Sequence, residues 1–355
     1  MLKASVPTNH SRTAFLAFFE IRSMSKENKE SVIVNARVIL QEKGLYHIVA
    51  DGKEYQAEPS GRMRYEAVVA TDLPTVGDYV EATVQQNKAT IHRLLPRTSL
   101  FVRKKAGTDR SEQLVAANID TLFVCVSLNN DFNPRRIERY VSVAWESGAT
   151  PVVLLTKCDL QSNVAEFVCL AQSVAAGVDV LTVNSVQSDG YNAVLPYLGK
   201  DKTVAFVGSS GVGKSTLINK LLGKELQETN GLRNDDKGRH TTTSRRLFAL
   251  PCGAFVIDTP GMRELGMWDA DDGIGKAFSD IEQLAEDCRF ADCTHTCEPG
   301  CAVLQAVADG ALSAARVDSY RKLLAENSYN ADSESYLAAK NEKFKKISNI
   351  NKKRF

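Results

Sequence analysis

The chain has 355 residues, of which 43% are hydrophobic and 25% are charged, and its formal net charge is +1. This length allows about two to three domains with sizeable cores, and the nearly balanced charge excludes a protein that binds polyanions through bulk charge alone. The apolar runs are shorter than the roughly 20 residues of a membrane-spanning helix, so we expect a cytoplasmic protein that does not enter membranes.

Residues 1–30 are expected to form a disordered extension. Residues 1–23 combine Lys3, Arg12 and Arg22 with a single acidic residue, Glu20, and their apolar stretch lacks a clear cleavage site for a secretory signal. A transit peptide is the weaker alternative.

Residues 31–96 have the pattern of a small β-barrel. Short runs of β-forming residues, such as 45–49 and 79–84, alternate with turn residues such as Gly77-Asp78. About five strands in this space favour a closed barrel, and a β-sandwich is the alternative. Residues 97–112 are basic and irregular, which indicates a linker.

Residues 113–266 alternate between strand and helix patterns, which predicts a parallel α/β sheet. The continuous apolar run at 119–128 is typical of a buried parallel strand, and Pro134 marks the start of a helix. The last two predicted strands form a hairpin at the edge of the sheet. The strands after the first are predicted at 151–155, 179–183, 203–207, 247–250 and 254–257.

One loop of this region has the sequence of a phosphate-binding loop and lies between a predicted strand and a predicted helix. Its glycines let backbone N–H groups surround phosphate oxygens, and the following helix N-terminus favours negative charge. Lys214 is expected to reach the β- and γ-phosphates, and the Ser215 hydroxyl to bind Mg²⁺. The loop consists of Gly208, Ser209, Ser210, Gly211, Val212, Gly213, Lys214, Ser215 and Thr216.

Two further segments are expected to contact the γ-phosphate and its metal. Asp258 ends a predicted strand, where its carboxylate would support the Mg²⁺ shell, and the backbone N–H of Gly261 would sense the phosphate. Thr242 is the chosen threonine ligand of Mg²⁺, and a neighbouring threonine would serve equally well. Each segment, taken alone, is also typical of a turn or a flexible polar loop.

A base-reading loop is predicted at Thr156-Lys157-Cys158-Asp159, directly after a strand. The Asp159 carboxylate would accept hydrogen bonds from two donors that guanine presents and adenine lacks, and the Lys157 stem would lie over the ring. The first position of this motif is usually Asn, so Thr156 is expected to weaken the tie between this loop and the phosphate loop. Ser185, after the next strand, is the candidate for a backbone contact to guanine O6.

These motifs occur in a rotated order. The base-reading loop precedes the phosphate loop, whereas an ordinary GTPase has the reverse order. Both loops still reach the carboxyl edge of one sheet, and folds tolerate such a rotation when the original termini lie close together. The sequence therefore predicts a circularly permuted GTPase domain.

A cluster of cysteines near the C-terminal end indicates a metal site. Its spacing, Cys-x₄-Cys-x-His-x₅-Cys, supplies three thiolates and one imidazole, which suit a closed structural Zn²⁺ site. Cys297 could substitute for one ligand, and buried thiols with a surface histidine are the alternative. Amphipathic helices are predicted on both sides, at 274–288 and 313–326. The predicted ligands are Cys288, Cys293, His295 and Cys301.

Together the motifs resemble the RsgA/YjeQ family of circularly permuted GTPases, which act with the small ribosomal subunit. The likeness spans about residues 31–327 and is carried by the segments 116–120, 238–243, 290–295 and 298–303. The resemblance implies an N-terminal OB-fold barrel, a central α/β P-loop GTPase domain over 113–266 and an α-helical zinc-binding domain over 267–330. It assigns one structural Zn²⁺ to the four ligands above and Mg²⁺ to bound GTP. A basic tail, 331–355, lies outside the likeness.

The resemblance also implies a function. The protein would bind the small ribosomal subunit and its rRNA as a monomer, assist late maturation, and hydrolyse GTP to GDP and phosphate when the subunit stimulates it. Met262 stands where many GTPases have a glutamine that orients water, so slow intrinsic hydrolysis is expected. The resemblance suggests that His240 positions this water, with an exposed loop histidine as the alternative.

Three regions are candidates for contact with RNA phosphates: the barrel, the basic stretch 97–110 and the tail 340–355. Two other functions compete with this one. A zinc-containing RNA-binding module could keep its nucleotide only as a stabiliser, and a P-loop ATPase or kinase is the other candidate, against which Asp159 argues.

Overall fold

The computed structural model describes residues 32–42, 44–104, 112–129, 132–184, 187, 189–223, 245–258 and 271–327. Within these ranges, no helix has the length and apolar composition needed to cross a bilayer.

The N-terminal part is a closed five-stranded barrel, as predicted from the sequence. The strands follow the order β1-β2-β3-β5-β4, and β4 pairs again with β1 to close the barrel. Alternate residues point inward because successive side chains of a strand face opposite sides, and Val38, Ile48, Val80 and Ile91 fill the interior. The elements are β1 (Val32–Glu42), β2 (Leu45–Ala50), β3 (Lys53–Pro59), the short helix α1 (Gly61–Glu66), β4 (Tyr79–Gln85) and β5 (Lys88–Leu94).

The segment after the barrel is more ordered than the expected linker. Residues of its first half form strand β6 (Leu100–Lys104), which pairs antiparallel with β7 (Glu112–Ala117). Arg97 donates hydrogen bonds of 2.7 Å to both carboxylate oxygens of the buried Asp78. The guanidinium also donates to the backbone oxygens of Thr71 and Leu73. Arg97 therefore fastens the start of this segment to the barrel, and its own guanidinium is engaged within the protein.

The central part contains the predicted parallel sheet, with strand order β10-β9-β8-β11-β13-β12 and only β12 antiparallel. Successive residues of the strands face opposite sides of the sheet and belong to two separate cores. One core lies beneath α2 and α3 and the other beneath α4. The strands are β8 (Thr121–Ser127), β9 (Thr150–Thr156), β10 (Asp179–Val183), β11 (Thr203–Val207), β12 (Arg245–Ala249) and β13 (Phe255–Asp258). The helices are α2 (Pro134–Glu146), α3 (Val164–Val174) and α4 (Lys214–Leu222).

The predicted hairpin β12–β13 does not lie at a free edge. Leu40 and Gln41 of β1 pair antiparallel with Arg246 and Arg245 of β12, so the barrel and the central sheet form one sheet of 11 strands. The sequence could not show this pairing, because the two strands are far apart in the chain and no local pattern links them.

A close backbone contact makes a second joint between the barrel and the central part. Gly77 has a φ of +93°, and a Cβ at this position would lie 2.1 Å from the carbonyl oxygen of Ala117. Asn118, at a φ of 55°, donates to the Gly77 carbonyl and accepts from the backbone N–H of Thr98. This contact explains why Gly77 is needed where the barrel meets β7.

The C-terminal part is helical, as predicted, and packs against α2. The first predicted helix is divided in two at Phe278, whose ring is fully buried. Phe278, Val303, Val317 and Tyr320 belong to the same core as Ile137 of α2. The helices are α5 (Asp271–Ala277), α6 (Ser279–Ala285), α7 (Ala302–Ala308) and α8 (314–327).

Candidate functional site

The predicted phosphate-binding loop connects β11 to α4 at the carboxyl edge of the central sheet. Gly208, Gly211 and Gly213 have φ values of 143°, 75° and 101°, a region of backbone space that favours glycine. A Cβ on Gly208 would lie 2.3 Å from the carbonyl oxygen of Cys125 on the neighbouring strand β8. The loop therefore needs glycine both for its curvature and for its closeness to the sheet.

The Lys214 side chain folds back along the loop. Its Nζ donates hydrogen bonds of 2.6 Å to the carbonyl oxygens of Gly208 and Ser209. These bonds hold the ammonium group at the loop, beside the first turn of α4, where the helix N-terminus also carries partial positive charge. The arrangement presents cationic groups suited to an anion such as a nucleotide phosphate.

A second cationic side chain reaches the same loop from another helix. The Nη1 of Arg136, in the first turn of α2, donates to the hydroxyl of Ser209 at 2.5 Å. This contact could not be predicted from the sequence, because the two residues are 73 positions apart and the arginine belongs to no phosphate-binding motif.

The predicted base-reading loop lies directly against the phosphate loop. The buried hydroxyl of Thr156 donates a hydrogen bond of 2.7 Å to the carbonyl oxygen of Val212. Thr156 therefore joins the two loops. This differs from the weakened connection expected because Thr156 stands where the motif usually has Asn. Lys157 has a φ of 59°, and this left-handed residue turns the chain out of β9. The Asp159 carboxylate that follows is exposed.

Cys158 ties the base-reading loop to the end of the next strand. Its thiol is hydrogen-bonded to the carbonyl oxygens of Leu155 and Val183, at 3.1 and 3.7 Å. Burial raises the pKa of this thiol, so the neutral form dominates at neutral pH. Cys158 thus helps to hold the base-reading loop in position beside the ends of β9 and β10.

The loop after β10 is described only in part. The backbone N–H of Asn184 donates to the carbonyl oxygen of Gly190, where a Cβ would lie 2.0 Å from the Asn184 oxygen. Asp258 ends β13, the neighbour of β11, so it reaches the same edge of the sheet as the phosphate loop. The predicted site residues Ser185, His240, Thr242 and Gly261 lie outside the described residues.

A separate group of side chains forms the predicted metal centre. The ligand atoms of Cys288, Cys293, His295 and Cys301 all lie within 4.8 Å of one another. Cys288 Sγ is 3.8 Å from Cys301 Sγ and 3.6 Å from His295 Nδ1. Sulfur donors of one tetrahedral Zn²⁺, each about 2.3 Å from the metal, are separated by about 3.8 Å. The donor set and its spacing therefore fit Zn²⁺.

Backbone groups at the start of α7 support the thiols. Burial raises the pKa of the Cys288 thiol, but hydrogen bonds from the backbone N–H groups of Val303 and Ala302 and from neighbouring thiols outweigh it, and the net pKa is lowered. The Cys301 sulfur accepts from the backbone N–H of Leu304. The contacts to Cys288 favour its thiolate, the form that binds metal.

Glu298 orders the loop that carries His295. Its carboxylate accepts hydrogen bonds from the hydroxyl and backbone N–H of Thr294 and from the backbone N–H groups of Thr296 and Cys297. The Thr294 bond is the largest of the causes that hold the pKa of Glu298 well below its usual range. Cys297 itself is exposed, and the group of four that could share an ion does not include it.

Sequence comparisons find relatives that match most of the chain. A family model described as RsgA GTPase matches residues 94–268. The small ribosomal subunit biogenesis GTPase RsgA 2 of Lactiplantibacillus plantarum is 46% identical over 308 residues, which cover 86% of this chain and 86% of that protein. The protein of the same name from Vibrio vulnificus is 44% identical over 331 residues, which cover 93% and 91% of the two chains.

Solved structures share the fold. YjeQ from Thermotoga maritima matches with a TM-score of 0.62 at 24% identity, over 83% of this chain and 98% of that chain. YloQ, described as a circularly permuted GTPase, matches with a TM-score of 0.61 at 24% identity, over 85% and 97% of the two chains.

Proposed function

Since this chain belongs to the RsgA GTPase family, and is a GTPase of ribosome biogenesis, we propose that it binds the small ribosomal subunit and assists its late maturation. GTP is hydrolysed to GDP and phosphate, and the bound subunit accelerates this turnover. The protein acts as a monomer in the cytoplasm, with the subunit and its rRNA as partners.

The hydrogen bond from Thr156 to Val212 is the observation that carries the nucleotide site. It fixes the base-reading loop beside the phosphate loop, so that Asp159 and Lys214 can address the base and the phosphates of one nucleotide. Asp159 selects guanine, because an adenine ring would leave its carboxylate without donors. The guanine contacts are proposed for Thr156, Lys157, Cys158, Asp159 and Ser185.

Catalysis depends on positioning and charge, because phosphoryl transfer requires little covalent chemistry from the protein. Backbone N–H groups of residues 208–216 and the Lys214 ammonium bind the phosphates, and we assign contacts with the γ-phosphate and its metal to Asp258 and Gly261. Ser215 and Thr242 would hold Mg²⁺, which neutralises charge on the phosphate oxygens when it is bound. Met262 cannot orient water, so we assign that role to His240 in the subunit-bound state.

The zinc centre has a structural role in this proposal. Three thiols and one imidazole leave no open position for a substrate, which is typical of structural sites. Cys301 is also the residue that caps α7, so Zn²⁺ would fasten this helix to the loop 288–298. The C-terminal helical part, 267–330, thereby gains a rigid end.

The barrel offers a surface for RNA. Tyr65 and Val68, in and after α1, are 91% and 90% exposed, although both are large hydrophobic residues. OB-fold barrels bind single-stranded nucleic acid through aromatic rings that stack on bases. We therefore place rRNA contacts on the barrel, 31–96, and on the C-terminal part, with residues 97–112 joining the barrel to the GTPase domain, 113–266.

Co-sedimentation with purified small subunits tests the proposal. The protein should pellet with the subunits in the presence of a non-hydrolysable GTP analogue and less so with GDP. The same subunits should raise the GTPase rate, and Lys214→Ala should abolish it. Equal pelleting with large subunits, or turnover that subunits leave unchanged, would contradict the proposed function.

A second assay separates the competing functions. Calorimetry with GDP, GTP analogue and ADP should give binding of the guanine nucleotides only. An ATPase or kinase would prefer ADP, and a passive RNA-binding module would bind GDP without subunit-stimulated hydrolysis. His240→Ala should remove the stimulation while leaving the affinity for GDP intact.

A further inference from the structure

We propose that Arg136 is a positioning residue for the GTPase reaction, which holds the first turn of the phosphate loop so that the Lys214 ammonium meets the phosphates. This inference rests on the proposed nucleotide site, because it concerns the same loop. It adds a residue from α2, a helix that carries none of the nucleotide-binding motifs.

The contact forms a short chain of interactions that ends at Lys214. Arg136 Nη1 donates to the Ser209 hydroxyl at 2.5 Å, and the carbonyl oxygen of Ser209 accepts from Lys214 Nζ at 2.6 Å. Ser209 thus bonds to the arginine through its side chain and to the lysine through its backbone. Fixing the side chain also fixes the peptide unit that holds the ammonium group.

The helix that carries Arg136 is anchored at its first two turns. The Asn133 side chain caps the helix by accepting from the backbone N–H of Arg135. One residue after Arg136, Ile137 is completely buried in the core. The backbone that carries the guanidinium is therefore fixed, and the bond of Arg136 to Ser209 ties the loop to it.

Ion pairs to the C-terminal helix α8 also hold α2 in place. Glu138 pairs with Arg316 at 3.1 Å, and their side chains are only 2% and 4% exposed. Arg139 pairs with Glu326 on the same helix. The phosphate loop therefore contacts α2 through Arg136. The same helix is bound by α8 of the C-terminal part, which also carries the predicted zinc ligands.

The chemistry of arginine suits this position. Its guanidinium is planar and donates in a fixed plane, so the contact with Ser209 has a defined geometry. The half-buried location also adds positive charge near the β- and γ-phosphates. Both effects act more strongly on the transition state than on bound GDP, because negative charge shifts during phosphoryl transfer.

Kinetics of full-length variants test the inference. Arg136→Ala should lower kcat for intrinsic GTP hydrolysis about tenfold, while the Kd for GDP changes by less than about threefold. Arg136→Lys keeps a charge and a donor and should recover most of the lost kcat. Ser209→Ala removes only the acceptor and should reproduce the effect, and the double variant Arg136→Ala/Ser209→Ala should be no slower than either single variant.

Arg135→Ala is the matched control. Arg135 is adjacent, exposed, and paired at 3.5 Å with Asp318 on α8, so its loss should leave kcat unchanged. Melting of the nucleotide-free proteins supplies the structural readout, and Arg136→Ala should melt within a few degrees of the wild type. An unchanged kcat in folded Arg136→Ala, or additive effects in the double variant, would overturn the inference. If the wild-type protein bound no guanine nucleotide, the proposed function itself would fail instead.

Discussion

The Thr156 hydroxyl and the Val212 carbonyl oxygen are 2.7 Å apart, and their hydrogen bond joins two loops that lie 56 residues apart in the chain. Thr156 is completely enclosed by protein, so water cannot replace its partner. The same hydroxyl also approaches the carbonyl oxygen of Val126 at 3.4 Å. One small side chain therefore fixes the distance between the two halves of the proposed nucleotide site.

Thr156→Val should weaken guanine nucleotide binding. Valine has the shape of threonine but no donor, so the Val212 carbonyl oxygen would be buried without this partner, at a cost of about 1–3 kcal/mol. We expect the Kd for GDP to rise about tenfold, as measured by calorimetry. Thr156→Ser keeps the hydroxyl and should bind nearly as well as the wild type. Equal affinities for all three proteins would show that the bond does not set the loop spacing.

Asp159→Asn should change the preferred base. The amide can donate a hydrogen bond where the carboxylate could only accept. The exocyclic amine of guanine therefore loses its acceptor, whereas xanthine, which has an oxygen at the same ring position, gains a donor for that oxygen. We expect the affinity for GDP to fall by about 100-fold or more and that for xanthosine diphosphate to rise. Competition of both nucleotides for the same variant provides the measurement, with Asp189→Asn, in the described part of the next loop, as control.

Cys301→Ser and Cys297→Ser should separate the zinc ligand from its neighbour. Cys301 is buried within the cluster, whereas Cys297 is exposed. The wild-type protein and Cys297→Ser should each carry about one equivalent of zinc, and Cys301→Ser should carry much less. Elemental analysis measures the content. Proteolysis within 271–327 should accelerate on chelation of the wild-type metal, and retention of zinc by Cys301→Ser would move the ligand assignment elsewhere.

Arg97→Ala should destabilise the barrel strongly. Its partner Asp78 is completely buried and Arg97 is 15% exposed, so the substitution leaves an uncompensated buried carboxylate. We expect a loss of about 3–5 kcal/mol in the free energy of unfolding, measured by denaturant titration. Arg93→Ala breaks the exposed pair with Glu81 and should cost about 1 kcal/mol or less. A similar loss in both variants would argue against a special role for Arg97.

The sequence predicted the elements whose signals are local. The strands β10 and β11 have the predicted bounds, the phosphate loop follows its strand, and the cysteine spacing brings four donors together. Each of these depends on residues close together in the chain, whose type and spacing determine the local geometry. The closed barrel and the permuted GTPase fold followed from the order of such segments.

The sequence could not predict contacts that depend on distant partners. Arg97 belongs to a stretch with the basic composition of a linker, and this composition does not reveal its ion pair with Asp78, which lies 19 positions earlier. Arg37 is fully buried between the rings of Tyr79 and Phe255, at 4.8 Å from each, although arginine is rarely an interior residue. Burial lowers the pKa of this guanidinium. The rings that enclose it come from distant parts of the chain, so its burial depends on tertiary packing.

The pairing of β1 with β12 limits how the protein can be divided into fragments. A shortened protein that begins after the barrel would uncover the outer N–H and C=O groups of β12, because the strand that now covers them would be gone. Such uncovered strands recruit other chains and promote aggregation. A soluble fragment that contains the catalytic portion would therefore need either the barrel or a substitute strand. Poor solubility of a fragment without the barrel would result from the loss of the β1–β12 pairing and not from a defect in nucleotide binding.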